Sequence, residues 1–296
     1  MNGPTSGSFI SQRLHLRFAD WGNPEAPTLI MLHGLQDNGR IWDWIANSLQ
    51  KDFNLVAPDM RGHGDSDYAP TGIYPTVAYL FDLHQFVRRF RHRQVAIVGH
   101  GLGGALALAY AGIYPAAVSR VVAVEGLGDP PSVAAARAAI PINQRVANWI
   151  SERQAFASRV PRRYATIEDA FNRVMKRHPN LSPELALYLV DHGVIRNEDD
   201  TYSWKFDDYV RTPGGPLDVQ EKFGDLWVKV ACPALLIFGE ETRKANAFGP
   251  DVYDIVPNAR VETIPHAGHW AHLDQTESFL AILRDFMQPA LVAHAA

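Results

Sequence analysis

Val98-Gly99-His100-Gly101-Leu102-Gly103-Gly104 is the stretch that decides how this 296-residue chain is read. Four β-formers, Val95-Ala96-Ile97-Val98, run into it, and an alanine-rich apolar segment, Ala105 to Ala111, runs out of it. A strand that turns sharply into a helix needs an apex residue held at positive φ, with small residues on either side so that helix and strand can close on each other. Gly99 and Gly103 fit the flanking positions and Gly101 stands at the apex. Turns of this layout display a reactive side chain at the apex, and glycine has none. Taken alone, the glycines fit a plain tight turn or a phosphate-cradling loop equally well.

Three further segments break that tie. Thr28-Leu29-Ile30-Met31-Leu32 reads as a buried strand ending in His33-Gly34-Leu35, and Leu55-Val56-Ala57-Pro58 runs into Asp59-Met60-Arg61-Gly62-His63-Gly64-Asp65-Ser66. Val261-Glu262-Thr263-Ile264 leads into Pro265-His266-Ala267-Gly268-His269-Trp270. Four motifs in this order resemble the α/β-hydrolase superfamily over nearly the whole chain. The nearest pattern is its serine-type elbow Gly-His-Ser-Leu-Gly-Gly, with Gly101 in place of the serine. The resemblance implies an α/β-hydrolase fold: a mostly parallel central sheet, helices on both faces and an inserted helical cap. It implies a carboxyl-ester hydrolase, acting on an ester, thioester or lactone, that lacks its nucleophile and is inactive or nearly so. Two other readings stay open: a non-catalytic small-molecule-binding pseudo-hydrolase, and a lyase or cyclase in which His269 acts as a base.

The order of elements agrees with that fold. Strand-like runs near 13–19, 27–33, 53–58, 94–98, 119–125, 233–239 and 259–264 alternate with helical patterns at 41–50, 75–91, 102–113 and 274–287, as in a parallel sheet covered on both faces. Active sites in such sheets lie at the carboxyl ends of the strands. Between Gly126 and about Val230 the alternation stops, and helix-period segments broken by prolines take over (Ser132 to Phe156, Ile167 to His178, Pro183 to Asp191). We expect a core formed by 1–126 and 231–296, with 127–230 as the cap. The cap's aromatic residues, Trp149, Phe156, Tyr164, Phe171, Tyr188 and Trp204, exceed what an exposed linker needs. Some are expected to line an apolar pocket for a small hydrophobic ester or lactone.

By resemblance, Gly101 marks the nucleophile position and His269 the catalytic histidine. The usual acid position, in the loop after Leu235-Leu236-Ile237-Phe238-Gly239, holds Glu240, Glu241 and Thr242 instead of aspartate. Glu125, which ends Val121-Val122-Ala123-Val124, resembles the alternative acid placement of haloalkane dehalogenases and is preferred, with Glu240 or Glu241 second. The backbone N–H groups of Leu35 and Leu102 are the expected oxyanion hole, the pair of donors aimed at developing negative charge. Gln36 and Trp42 are expected to touch substrate, although Trp42 in Ile41-Trp42-Asp43-Trp44 also suits helix-core packing. Asp59, Arg61 and Ser66 match a loop motif that fixes the surroundings of the site.

Composition narrows the function classes. A formal charge of -4 and a pI near 6.3 argue against a nucleic-acid or anionic-membrane surface. The short basic run from Arg88 to Arg93 suits the C-terminal end of a helix. The first residues lack the charged and apolar regions of a secretion signal, and no stretch reaches the roughly 20 apolar residues of a membrane span, so a cytoplasmic protein is expected. The single cysteine, Cys232, reads as structural. No cofactor or metal site is expected, because the glycines miss the dinucleotide spacing and the histidines are scattered. Oligomeric state is not legible.

Overall fold

The apolar runs assemble into one eight-stranded sheet in the computed structural model, which describes residues 3–90, 93–128, 131–212, 214–216, 218, 222–246 and 255–295. The strands are β1 (Thr5–Ser11), β2 (Leu14–Asp20), β3 (Thr28–Leu32), β4 (Asn54–Pro58), β5 (Val95–His100) and β6 (Val118–Val124). A separate pair, β7 (Val194–Arg196) and β8 (Tyr202–Trp204), precedes β9 (Ala234–Gly239) and β10 (Arg260–Ile264). The sheet order is β1-β2-β4-β3-β5-β6-β9-β10. β1 and β2 join antiparallel at one edge, and β4 onward is parallel.

Strands buried on both faces read as continuous apolar runs, and the two cores show where alternate side chains go. Ile30, Leu32, Val95, Ile97, Leu236 and Phe238 enter one core, beneath α2 (Thr76–Val87) and α3 (Leu102–Ile113). Leu29, Met31, Ala96, Val98, Leu235 and Ile237 enter the other, beneath α1 (Asp43–Leu49) and α11 (Thr276–Ala295). Cys232 packs at the margin of the first core, half-buried, with its thiol pushed up by burial.

Between β6 and β9 lie α4 (Pro131–Ala138), α5 (Ile142–Ala157), α6 (Ile167–Arg177), α7 (Pro183–Gly193) and α8 (Phe223–Trp227), with α9 (Glu240–Asn246) and α10 (Ala271–Asp274) following. The helical pattern from Ser132 to Phe156 divides at Pro141, which caps α5 because proline cannot continue a helix interior. α6 starts at a reciprocal cap: Thr166 Oγ1 accepts from the Asp169 N–H at 3.1 Å, and Asp169 Oδ2 accepts from the Thr166 N–H at 3.1 Å. The insertion is not purely helical, since β7 and β8 form an antiparallel pair within it. No helix among the described residues is long and apolar enough to cross a membrane.

Register places the site. Leu32 lies opposite Gly99, His100 opposite Val124, Val124 opposite Ile237 and Gly239 opposite Ile264. The loops leaving β3, β5, β6, β9 and β10 therefore start side by side at one edge.

Trp42 belongs to the core. The expectation that it touches substrate is corrected: its ring is 0% exposed, 4.6 Å from the His272 ring and 6.4 Å from Phe279. The helix-period segment that carries it turns this face toward α11. Trp42→Ala should cost about 3–5 kcal/mol of unfolding free energy in urea titrations, the usual loss for a fully buried large ring. A loss below about 1 kcal/mol would contradict this placement.

Candidate functional site

Gly101 has φ +51° and ψ −118° between β5 and α3. Its N–H donates to the Val124 carbonyl at 2.8 Å, and its own carbonyl accepts from the Ala105 N–H at 3.1 Å. The neighbouring glycines are obligatory for space: a Cβ on Gly99 would strike the Gly103 backbone, and one on Gly103 would stand 2.6 Å from the Leu32 carbonyl oxygen. Gly101 differs. A Cβ there would sit 3.6 Å from His269 Nε2 and 3.8 Å from Gly34 Cα, which is ordinary contact. The apex is thus an open position aimed at an imidazole nitrogen.

His269 follows β10, and Glu125 follows β6. Glu125 holds φ +53°, an uncommon strained conformation for a residue with a side chain. Its side chain is 3% exposed; Oε1 accepts from the Gly239 N–H at 2.7 Å and Oε2 lies 4.0 Å from His269 Nδ1. Burial pushes the carboxyl up to about 7, against the opposing pull of the Gly239 hydrogen bond. Desolvation, then the neighbouring His100, lowers His269 from its ordinary value, although its side chain stays 54% exposed. The other acids are engaged elsewhere. Glu240 pairs with Lys244 at 2.7 Å and accepts from the His266 N–H at 3.3 Å, while Glu241 accepts from Asn180 Nδ2 at 3.0 Å.

Two residues beside this pair escaped the sequence reading. His100, 1% exposed, donates from Nε2 to the His269 carbonyl at 2.9 Å, and its Nδ1 lies 3.5 Å from Asp37 Oδ2. Gly34 makes room for them, since a Cβ there would stand 2.6 Å from His100 Nδ1 and 2.9 Å from Asp37 Oδ2. His100 thereby ties the His269 loop to the loop after β3. Nothing in local spacing connects positions 37 and 100; only the pairing of β3 with β5 does.

The second glycine-rich loop is fastened as expected. Asp59 Oδ1 accepts from the Gly39 N–H at 2.6 Å, Oδ2 accepts from the Asp65 N–H at 2.9 Å, and Ser66 Oγ donates to the Asp59 carbonyl at 2.6 Å. Arg61 donates twice to Asp82, at 2.6 Å each, in a buried ion pair.

Gly101, Leu35, Gln36, Leu102, Glu125 and His269 share the wall of one cavity of about 1640 Å³. Leu102 opens α3, so its N–H is among the first-turn donors without an intrahelical acceptor. Trp149, Phe156, Tyr164 and Trp204 also line this cavity. Phe171 packs on the second core instead, and the Tyr188 hydroxyl bonds to Asp43 and, at 2.8 Å, accepts from Arg40.

The chain belongs to the alpha/beta hydrolase fold family, whose model matches residues 27–276. It is 25% identical over 284 residues, 94% of this chain and 96% of the other, to a candidate 2-succinyl-6-hydroxy-2,4-cyclohexadiene-1-carboxylate synthase of Bacillus subtilis (strain 168). It is 24% identical over 276 residues to the sn-1-specific diacylglycerol lipase ABHD11 of Mus musculus, covering 90% of this chain and 82% of that one. In fold it is similar to the thioesterase domain from the curacin biosynthetic pathway, with TM-score 0.78, 21% identity and coverage of 95% and 99% of the two chains. A serine hydrolase-like protein of Danio rerio, 25% identical over 286 residues (93% of this chain and 85% of that one), is a further relative, and the mostly parallel sheet with its helices is shared with the solved structures.

The raised carboxyl has a measurable consequence. Between the ordinary carboxyl value of 4.5 and about 7 the folded state binds more protons at Glu125 than the unfolded state, so its contribution to stability falls as pH rises through that window and is lowest above it. Glu125→Gln removes this titration. Its stability relative to the parent should therefore increase from pH 5 to pH 8, by up to about 3 kcal/mol. Denaturant midpoints measured side by side across that range check this; a difference independent of pH would show that Glu125 ionises at its ordinary value.

Proposed function

We propose that this chain is built as a carboxyl-ester hydrolase whose nucleophile position is filled by Gly101, so that it binds ester-type ligands and turns them over at or near background. The observation that carries this reading is the open apex: a side-chain atom on Gly101 falls 3.6 Å from His269 Nε2. There, His269 would take and return the proton and Glu125 would orient the ring, with the Leu35 and Leu102 N–H groups as oxyanion donors. The lipase and serine hydrolase-like relatives support ester chemistry. Residues 127–230 act as a lid whose aromatic side chains bind the acyl or aromatic part of a small ester.

The experiment compares the chain with Gly101→Ser. Serine at this positive φ costs about 1–2 kcal/mol, a strain that elbows of this kind carry. The parent should show turnover of p-nitrophenyl esters near background and no fluorophosphonate adduct by mass spectrometry. Gly101→Ser should gain both the adduct and esterase activity. Parent turnover above about 1 per second, in the ordinary enzyme range, would overturn the reading of Gly101, and a folded Gly101→Ser protein that neither labels nor hydrolyses a broad ester panel would overturn the hydrolase reading.

A second reading is favoured by the place of His269 in the cavity wall, with Glu125 Oε2 4.0 Å from its Nδ1 and no nucleophile side chain at the apex. An uncharged imidazole beside a carboxyl can abstract a proton from a bound carbon acid without a covalent step. The Bacillus subtilis relative is named a synthase and not a hydrolase. In the parent chain, His269-dependent exchange of a ligand's acidic C–H with deuterated solvent is the expected signature.

A further inference from the structure

The part of the cavity wall contributed by residues 128–178 is strongly basic. Six arginines in that stretch line the cavity, against one carboxylate, Glu152. The chain as a whole carries -4, so this cluster does not follow from composition. Four of the six, Arg159, Arg162, Arg173 and Arg177, form no ion pair among the described residues. The acids across the cavity are occupied: Asp207 accepts from the Tyr74 hydroxyl at 2.6 Å, Asp208 faces Arg211 at 3.6 Å, and Asp218 accepts from the Thr76 N–H at 2.9 Å. These acids are held by their own contacts on the opposite wall, and none of them forms an ion pair with Arg159, Arg162, Arg173 or Arg177 among the described residues.

Helix geometry makes the cluster specific. Arg173 and Arg177 are four residues apart on α6 and so project from one face, one turn apart. A cation at the last turn suits the helix dipole, which accounts for Arg177 but not for Arg173, a half-buried residue further in. The next residue, His178, stacks on Trp270 with ring centroids 3.8 Å apart and planes 3° from parallel, beside His269. The arginine face thus continues, through a flat aromatic pair, into the wall that holds the imidazole. Like charges gathered in a concave site repel each other and focus a positive potential into it, a cost that a bound anion relieves. Guanidinium groups also match carboxylate and phosphate oxygens in two-point hydrogen bonds.

We infer that Arg173 and Arg177, one turn apart on α6, form an anion subsite, with the exposed Arg159 and Arg162 on the same cavity wall, and that the acyl compound bound over Gly101 carries an oxyanion, carboxylate or phosphate, at the end remote from its carbonyl. This rests on the ester-binding reading above and names the substrate class of that site. The aromatic side chains then hold the body of the ligand and the arginines its charged end.

The test uses equilibrium binding to the parent chain, where no nucleophile consumes the ligand. Phenyl hemisuccinate is compared with its neutral isostere phenyl 4-methylpentanoate, and S-acetyl-4′-phosphopantetheine with S-acetylpantetheine, which lacks only the phosphate. At least one anionic probe should bind 10-fold or more tightly than its neutral counterpart in low salt, and the ratio should shrink in 0.5 M salt as screening shortens the reach of the field. The first pair identifies a carboxylate, the second a phosphate. In Arg173→Gln/Arg177→Gln the ratio should fall at least 5-fold, whereas Arg173→Lys, which keeps the charge and loses the two-point geometry, should lie between. Thermal unfolding checks that each variant is folded, and the salt dependence in the parent remains decisive if one is not. Equal binding of anionic and neutral probes overturns the anion subsite and leaves the ester reading standing. Binding of none of the four overturns both.

Discussion

The closeness of β5 to α3 is the constraint on which the site depends. Gly99 meets the Gly103 backbone, and Gly104 meets Gly126 where β6 ends, at separations that leave no volume for a Cβ. That contact forces the chain to reverse within one residue, which holds Gly101 at φ +51° and points its missing side chain at His269. It also sets the free N–H groups of the first turn of α3 under the same opening. Widening the contact by one methyl group would lift the helix start off the sheet edge and move the apex, the Leu102 N–H and the Val124 to Gly101 hydrogen bond together.

Desolvation governs what the assembled side chains do. Glu125, Asp37, His100 and His272 are all largely shut off from water, with His269 at their margin. A medium poor in water favours neutral forms, which raises the Glu125 carboxyl and lowers His269 and His272. The pair is left with a 4.0 Å gap, too long for a hydrogen bond, and His269 Nε2 faces an empty apex. A hydroxyl at position 101 would supply the partner that this nitrogen lacks. The ring would then be flanked on both sides, by Glu125 at 4.0 Å from Nδ1 and by the hydroxyl at Nε2, while His100 fixes its backbone.

Much of this was legible in the sequence because the central strands are buried on both faces and therefore read as unbroken apolar runs. The same logic explains the omissions. β1, with the sequence Thr5-Ser6-Gly7-Ser8-Phe9-Ile10-Ser11, is an edge strand whose first half is polar, and β7 and β8 are three residues each, too short for any period to show. Glu125 could be found as the residue that ends β6 at the level of the elbow. Its positive φ could not, because glutamate carries no signal for that conformation. Asp37 and His100 meet only because β3 and β5 are neighbours in register, a relation between segments more than 60 residues apart. Trp42 showed the opposite limit: a helical period tells that one face is apolar, and only the position of α11 says which core that face enters.

The glycine at the apex separates two properties that ordinarily come together. Complementarity to a carbonyl compound resides in backbone donors, in the cavity wall and in the charges around it, none of which needs a side chain at position 101. In the proposed hydrolase, bond making would reside in one side-chain atom at position 101, where this chain has glycine. The residues that crowd the elbow would tolerate no larger substituent, yet the apex itself is open, so the geometry that would orient a nucleophile persists independently of one. In the proposed ester-binding protein such a cavity would bind without consuming, and its selectivity would be set by the wall: aromatic faces for the body of the ligand, and the arginines of residues 128–178 for its charged end.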